Sequence, residues 1–378
     1  MFRLITYLIP TIFLFSQNKQ QWIDSVYSSM SLDEKVGQLF MVMAYPDGNQ
    51  LSRSNTLYQI NNMHVGSILF SSGKSDIQII DTHTFQKNSK IPLLIGADAE
   101  WGMAMRLKDV FPYPYAMTLG ALPNSDLIFA LAKRIGKRKY DMGIHITFSP
   151  VLDVNTNASN PIIGVRSFGD DPKIVAEYGK ATIEGFNKSN ILSVAKHFPG
   201  HGGTAVDSHL KLPVIILSND LIEKNHFFPF KQLINSGLKG IMVGHLSIPT
   251  LTDSKIIPVS ISSNVVTELL QNKLEFKGLI FTDALNMKAV NQFVECPALS
   301  AFKAGADVLL LPENLKFAIQ KIKSYCLSSI VAVQKLEKSV KKILSTKYDL
   351  KLHEKTFNIP KKNPLKTTSN DRYLIEQI

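Results

Sequence analysis

Short apolar runs alternate with longer polar or amphipathic stretches along most of the 378-residue chain. Within the runs, apolar and polar residues do not alternate strictly, which is typical of parallel strands that are buried on both faces. Between the runs, stretches such as 125–143 and 171–189 are long and amphipathic enough to form crossover helices. The pattern predicts eight strands, at 38–45, 66–70, 92–98, 145–154, 192–198, 239–246, 277–284 and 306–312.

The strict alternation of strands and helices favours a single-domain α/β fold, the closed (β/α)8 TIM barrel. An open doubly wound sheet would be expected to carry a glycine-rich phosphate turn, and the sequence has neither a GxGxxG nor a Walker pattern. Before the first strand, Ser31 and Glu34 have the spacing of a capping box at a helix start. After the last strand, 315–348 predicts closing helices and 351–378 predicts a polar C-terminal tail.

Residues 1–17 are predicted to be a signal peptide or an N-terminal anchor. A single arginine precedes an apolar run from Leu4 to Phe15, and a polar flank follows. The run is too short for a comfortable membrane span, so no stable membrane partner is expected beyond a possible anchor. We therefore expect an exported protein, periplasmic or extracellular, rather than a cytoplasmic one.

The composition argues against several classes of protein. Hydrophobic residues make up 45% of the chain and charged residues 19%, which is typical of a compact globular protein. The net charge is +11, but the lysines are spread along the chain and lack interleaved aromatic residues, so no nucleic-acid partner is predicted. Two cysteines, Cys296 and Cys326, define neither a disulfide framework nor a set of metal ligands.

Ionisable residues end five of the predicted strands. In a parallel barrel the carboxyl ends of the strands meet at one mouth, where binding and catalytic groups are placed. Side chains that are distant in sequence are therefore expected to lie together there. These residues are Asp98, Asp153, Lys196 with His197, His245 and Asp283.

The segment KHFPGHGGTAVDSH (196–209) reads as a strand end followed by a long loop. Its proline and glycines exclude a helix and release the backbone over the predicted mouth. Asp207 and His209 are close enough in sequence for the carboxylate to orient the imidazole, as in a general acid/base. Opposite them, Asp283 ends an apolar strand, where a carboxylate is costly unless it is used, and is the candidate nucleophile.

Four segments carry a resemblance to a known family: 95–107 (IGADAEWGMAMRL), 162–172 (IIGVRSFGDDP), 196–209 and 280–287 (IFTDALNM). They resemble the signature segments of glycoside hydrolase family 3, in its β-N-acetylglucosaminidase branch. The resemblance runs from about Leu32 to Tyr348 and places the family's N-terminal barrel domain at 21–350. One departure is Trp101, which stands where the family pattern has a glycine.

The resemblance implies a retaining β-N-acetylhexosaminidase that removes terminal non-reducing β-linked N-acetylglucosamine through a covalent glycosyl-aspartate intermediate. Asp283 would be the nucleophile, and Asp207 with His209 the acid/base on a mobile loop. The implied partner is a carbohydrate, either a glycan that contains N-acetylglucosamine or a peptidoglycan fragment, and no metal or organic cofactor is expected. The residues implied to bind the sugar are Asp98, Arg106, Arg166, Lys196 and His197.

Other functions stay open at this point. Within the same family, the chain could be an N-acetylglucosaminide phosphorylase or a β-glucosidase. A metal-dependent barrel hydrolase would use His197, His201, Asp207 and His209 as ligands, although Pro199 rules out a helical arrangement of the first two. A non-catalytic sugar-binding protein is a further alternative, but the chain retains every motif residue.

Overall fold

The computed structural model describes residues 18–204, 211–354, 364–365 and 368–378. The predicted signal peptide or anchor (1–17) and the predicted acid/base pair, Asp207 and His209, lie outside this part of the chain. Among the described helices, none combines the length and apolarity that a membrane crossing requires.

Each of the eight predicted strands coincides with strand structure, and the fifth is divided in two. The strands lie in a six-stranded parallel sheet of order β5-β4-β3-β2-β1-β9 and a three-stranded parallel sheet of order β6-β7-β8. The strands are β1 (Phe40–Ala44), β2 (Ser67–Phe70), β3 (Leu94–Ala97), β4 (Ile146–Thr147), β5 (Leu192–Ser193), β6 (Ala195–Phe198), β7 (Gly240–Val243), β8 (Leu279–Thr282) and β9 (Leu309–Leu310).

Helices follow most of the strands and cover the sheets. The longest of them confirm the helices predicted between strands and after the last strand. They are α1 (Lys19–Ser29), α2 (Leu32–Gly37), α3 (Gln50–Asn62), α4 (Ser75–Asn88), α5 (Ala116–Gly120), α6 (Asp126–Asp141), α7 (Pro172–Asn187), α8 (Asn219–Leu221), α9 (Phe228–Asn235), α10 (Lys288–Asn291), α11 (Pro297–Ala304), α12 (Leu315–Ser328), α13 (Ile330–Asp349) and α14 (Ser369–Glu376). Two wider helical turns, Ile222–Phe227 and Asn264–Lys273, have π geometry.

A capping box marks the start of α2, and the strand pairing changes after β4. The predicted capping box is confirmed at α2, where the Ser31 hydroxyl accepts the Glu34 N–H and the Glu34 carboxylate accepts the Ser31 N–H. Pairing between β4 and β5 ends at Thr147 with Ser193, and a single bridge follows between Val151 and Lys196. Val194 separates β5 from β6 at the same level, and the chain passes from one sheet to the other.

The strand pairing shows an α/β fold with two parallel sheets, and closure into one barrel stays a prediction. Single bridges connect the two sheets at both sides. Val151 pairs with Lys196 in β6, and Phe281 in β8 pairs with Val308 next to β9. The hydrophobic core lies inside the sheets and between the sheets and the helices, with Phe40, Phe198 and Phe281 completely buried.

The end of the predicted polar tail is packed against the body of the protein. Asp371 in α14 is 0% exposed and accepts hydrogen bonds from Arg134, Arg138 and the Tyr113 hydroxyl. Ile375 of the same helix packs on a small apolar cluster beside α6. The predicted polar tail therefore contains one buried carboxylate, Asp371, that anchors it to the rest of the protein.

We predict that Asp371→Asn lowers the free energy of unfolding by about 3 kcal/mol at neutral pH, because two arginines lose a buried ionic partner. Burial alone would raise the pKa of Asp371, but its hydrogen bonds outweigh burial and lower the pKa below the usual range. The carboxylate therefore stabilises the fold above the usual carboxyl pKa of about 3.9, and the effect is lost as the pH falls further.

Urea unfolding at pH 7 and below pH 4 would measure the effect, with hydrogen exchange over 369–378 to locate it. The matched control is Glu376→Gln, which changes an exposed carboxylate on the same helix. An equal loss of stability in both variants would contradict the anchoring role of Asp371.

Candidate active site

A cavity of about 210 Å³ lies at the carboxyl ends of the strands and brings six of the predicted site residues together. Strand β3 leads to Asp98, β6 carries Lys196 and His197, and β8 leads to Asp283. Arg106 and Arg166 reach the cavity from loops. The rest of its wall is largely apolar and is formed by Met43, Leu69, Phe70, Phe148, Ile162, Met242, Met287, Leu310 and Leu311, together with His201.

Asp98 is held by two cations on the wall of this cavity. The Arg106 guanidinium donates to the Asp98 carboxylate at 2.6 Å and to its backbone carbonyl at 2.8 Å. The Lys196 ammonium donates to the other carboxylate oxygen, also at 2.6 Å. Burial alone would raise the pKa of Asp98, but Lys196 and Arg106 outweigh burial and hold the pKa well below its usual range.

Lys196 also binds Glu100, a carboxylate that is not among the predicted site residues. The ammonium is 2.6 Å from Glu100 Oε1, and the Lys196 side chain is only 2% exposed. Arg166 grips Glu100 from the other side, with Nε 2.9 Å from Oε2 and Nη2 2.7 Å from Oε1. Asp98, Lys196, Glu100 and Arg166 thus form a chain of alternating charges. A signal for Glu100 was available in sequence, because it lies two residues after Asp98 and therefore close to the same mouth.

The loop between Asp98 and Arg106 turns sharply at Gly102. Its φ of +83° is in the region that favours glycine, and a side chain there would meet the Tyr113 ring at 2.6 Å. Trp101 does not line the described cavity. Its indole packs edge-on against Tyr115, with the ring centroids 4.7 Å apart, and it lines a smaller hollow behind Glu100.

Asp283 directly follows β8 and is partly exposed to the cavity. Its carboxylate accepts the Ala284 N–H at 2.8 Å, and none of the residues that the structure describes donates to the second oxygen. Burial favours the neutral carboxyl, but His197, His245 and the Ala284 N–H outweigh burial and lower the pKa of Asp283. At neutral pH the group is an anion, which is the form a nucleophile requires.

His197 faces the cavity and is oriented by a buried carboxylate from another strand end. His197 Nδ1 is 2.6 Å from Asp153 Oδ2, and Asp153 is 0% exposed. Burial would raise the pKa of Asp153, but His197 outweighs burial and lowers the pKa to about 2. Asp153 was predicted to lie at the mouth, and its pairing with His197 was not predicted.

His245 is a strand-end residue that the structure does not place on the cavity wall. It is fully buried, with Nδ1 2.7 Å from the Ser260 hydroxyl and Nε2 3.1 Å from the Ala284 carbonyl. Burial lowers the pKa of His245, so the ring is neutral and can donate to that carbonyl. The histidine supports the backbone beside Asp283.

The described residues offer little support for a metal centre of the kind considered from sequence. His197 is engaged by Asp153, and His201 Nδ1 lies 2.9 Å from the Thr204 hydroxyl. Within 18–204, 211–354 and the described C-terminal residues, no three His, Cys, Asp or Glu side chains cluster as metal ligands would. The other two ligands considered, Asp207 and His209, lie outside these ranges.

The arrangement suits binding and attack at a polyhydroxylated ligand. An anionic oxygen on Asp283 shares a small cavity with fixed donors on Arg106 and Lys196 and with acceptors on Asp98. Charge-assisted hydrogen bonds of this kind bind hydroxyl groups in a defined orientation.

Comparison with known proteins agrees with this chemistry. Residues 31–346 match the family model described as the glycosyl hydrolase family 3 N terminal domain. The chain therefore belongs to glycosyl hydrolase family 3.

Individual relatives and solved structures lie within the same family. The chain is 35% identical over 271 residues to β-hexosaminidase A of Pseudoalteromonas piscicida, covering 65% of this chain and 45% of that protein. It superposes with a TM-score of 0.85 on a glycoside hydrolase family 3 β-N-acetylglucosaminidase from Paenibacillus sp. str. FPU-7, at 29% identity over 92% of this chain and 68% of the other. The β-glucoside phosphorylase BglX gives a TM-score of 0.87 at 26% identity, over 95% of this chain and 66% of the other. The chain thus spans less than half the length of the curated relative.

We predict that Lys196→Gln weakens substrate binding, raising KM by roughly 10- to 100-fold, because the amide keeps a donor but loses the charge that holds Asp98 and Glu100. Without that charge, the pKa values of both carboxyls rise. Both carboxylates then become protonated at a higher pH than in the wild type. The acidic limb of the kcat/KM profile therefore shifts to higher pH.

Steady-state kinetics across pH would measure both effects. The control is Lys277→Gln, which removes an exposed lysine. An unchanged acidic limb in Lys196→Gln would show that this ammonium does not set the ionisation of the cavity.

Proposed function

We propose that the chain is a retaining β-N-acetylhexosaminidase that hydrolyses terminal, non-reducing β-linked N-acetylglucosamine. The observation that carries this proposal is the shared cavity, whose wall contains both an ionised Asp283 and the ion pair of Asp98 with Arg106. The resemblance of the four signature segments and the β-hexosaminidase among the relatives support the choice of sugar.

In the proposed first step, a carboxylate oxygen of Asp283 attacks the anomeric carbon and forms a glycosyl ester. The glycosidic bond breaks, and its electron pair stays on the leaving oxygen, which takes a proton from His209 paired with Asp207. In the second step, neutral His209 removes a proton from water as the water oxygen attacks the anomeric carbon, and the bond from that carbon to the Asp283 oxygen breaks. Two displacements restore the original configuration, and Asp283 is released as a carboxylate.

The remaining residues would orient the sugar. Asp98, Arg106, Lys196 and His197 present fixed donors and acceptors for ring hydroxyls, and Arg166 is placed to contact a hydroxyl or the acetamido group. A volume of about 210 Å³ is small for a ligand pocket, which fits a single sugar residue and removal of terminal units.

The same proposal includes closure of the two sheets into one (β/α)8 barrel. Strands β5 and β6 are consecutive parts of one predicted strand, and the Leu152 N–H donates to the Lys196 carbonyl at 2.6 Å across the gap. On the other side, the Thr282 N–H donates to the Val308 carbonyl at 3.0 Å. A closed ring would direct every strand end to the same mouth.

The biological setting follows as part of the proposal. An exported enzyme of this class would act in the periplasm or outside the cell on N-acetylglucosamine-containing glycans or peptidoglycan fragments, which connects it to peptidoglycan turnover. The charge pattern of the chain favours no nucleic-acid partner.

We predict that Asp283→Ala lowers kcat by at least about 10⁴-fold, because no other group would form the glycosyl ester. A panel of 4-nitrophenyl glycosides, comparing N-acetyl-β-glucosaminide with β-glucoside, would test activity, sugar class and nucleophile together. Labelling by a mechanism-based fluorosugar, followed by peptide mapping, would identify the ester-forming residue. Attachment to any side chain other than Asp283 would refute the assignment.

We predict that His209→Ala affects substrates according to their leaving groups. A nitrophenolate departs with little protonation, whereas a sugar alkoxide needs a general acid. The variant should therefore lose about 10-fold more kcat/KM on an N-acetylglucosamine disaccharide than on the 4-nitrophenyl glycoside. Equal losses on both substrates would count against His209 as the acid.

Phosphorolysis is a second candidate, favoured by the superposition on a β-glucoside phosphorylase. The glycosyl ester would then be attacked by a phosphate oxygen in place of water, giving the sugar 1-phosphate. Adding phosphate to the wild-type assay and analysing the products for sugar 1-phosphate separates phosphorolysis from hydrolysis.

A further inference from the structure

Asp153 is a buried carboxylate to which neither the resemblance nor the proposed reaction assigns a role. It is 0% exposed, follows β4, and lies 44 residues before His197 in the chain. Its Oδ2 is 2.6 Å from His197 Nδ1. Its Oδ1 accepts the backbone N–H of His197 at 3.2 Å and that of His201 at 2.7 Å. One side chain therefore holds the backbone at both ends of the turn 197–201 and the imidazole of His197.

These contacts decide which ring nitrogen of His197 carries a proton. An ionised carboxylate only accepts hydrogen bonds, so Nδ1 must be the donor to Asp153. On the other side of the ring, Nε2 lies 3.5 Å from Arg166 Nη2. A guanidinium only donates, so a lone pair on Nε2 is the favoured partner for Arg166 and for a ligand hydroxyl in the cavity.

We infer that Asp153 is a positioning residue that fixes His197 as the Nδ1–H tautomer, with Nε2 as a hydrogen-bond acceptor facing the sugar. The inference rests on the proposed function only in naming the ligand as a sugar. Asp153 itself does not line the cavity and acts through His197.

Replacement by asparagine creates a conflict in either orientation of the amide. If the amide oxygen receives the two backbone N–H groups, its NH2 faces Nδ1, and the ring must adopt the Nε2–H tautomer against Arg166. If the amide oxygen instead faces Nδ1, the amide NH2 faces the backbone N–H groups of His197 and His201, and hydrogen-bond donors then face donors. Asp153→Asn should therefore lower kcat/KM by roughly 10²- to 10³-fold through a wrong tautomer or a displaced turn.

The matched control is Asp307→Asn. Asp307 is also a buried carboxylate, and it accepts the Ile280 N–H at 3.0 Å and the Ser339 hydroxyl at 2.8 Å. It is not part of the cavity wall. Its substitution should reduce stability without changing the His197 tautomer or the pH dependence of kcat/KM.

The experiment is imidazole ¹⁵N NMR on histidine-labelled protein, with the His197 signals assigned by comparison with His197→Gln. Wild type should show Nδ1–H and an unprotonated Nε2, and Asp153→Asn should show Nε2–H or a mixture of tautomers. Kinetics on the 4-nitrophenyl N-acetyl-β-glucosaminide, and urea unfolding, are measured on the same samples.

Two results would overturn the inference. One is a wild-type His197 with its proton on Nε2, which can be read even if Asp153→Asn does not fold. The other is a loss of kcat/KM in Asp307→Asn equal to that in Asp153→Asn. An inactive wild type with the expected tautomer would instead refute the proposed function and leave the positioning role of Asp153 supported.

Discussion

The arrangement of the cavity depends on the buried ammonium of Lys196. A cation withdrawn from water is tolerated only when anions surround it, and Asp98 and Glu100 meet that need at 2.6 Å each. Two carboxylates around one ammonium leave a negative excess, which the positive charges of Arg106 and Arg166 more than offset. Ion pairs, as well as packing, thus connect the loop between Asp98 and Arg106, the segment 166–169 (RSFG) and β6.

This network gives the cavity its fixed polarity before any ligand arrives. Paired cations keep Asp98 and Glu100 ionised, and the surrounding groups do the same for Asp283. Preorganised charges of this kind need not be rearranged as a reaction proceeds, which is the main way that polar sites lower a barrier. Because Asp98, Lys196 and Glu100 each have two charged partners, removing any one of them changes the ionisation of its neighbours.

Much of this could be predicted from the sequence, since the positions of strand ends follow from hydrophobic runs. Asp98, Lys196, His197 and Asp283 were placed at one mouth for that reason, and the structure brings them together. The pairing of Asp153 with His197 was not predicted, because it depends on which strand ends become neighbours in space.

Other features could not be predicted from the hydrophobic pattern of the sequence, for different physical reasons. The division of the fifth predicted strand depends on its partners in space, because Leu192 and Ser193 pair with β4 whereas Ala195 and Phe198 pair with β7. The sequence left open whether Trp101 covers the sugar or packs elsewhere, and Tyr115 provides a packing partner away from the cavity. The docking of the C-terminal segment depends on Asp371, whose contact with Tyr113 spans 258 residues and leaves no local signal.

The docking of α14 has a mechanical consequence. Asp371 is gripped by Arg134 and Arg138 on α6 and by the hydroxyl of Tyr113, whose ring covers Gly102 in the loop between Asp98 and Arg106. A displacement of α14 would therefore act on α6 and on that loop, and Arg106 and Asp98 at the ends of the loop belong to the wall of the cavity.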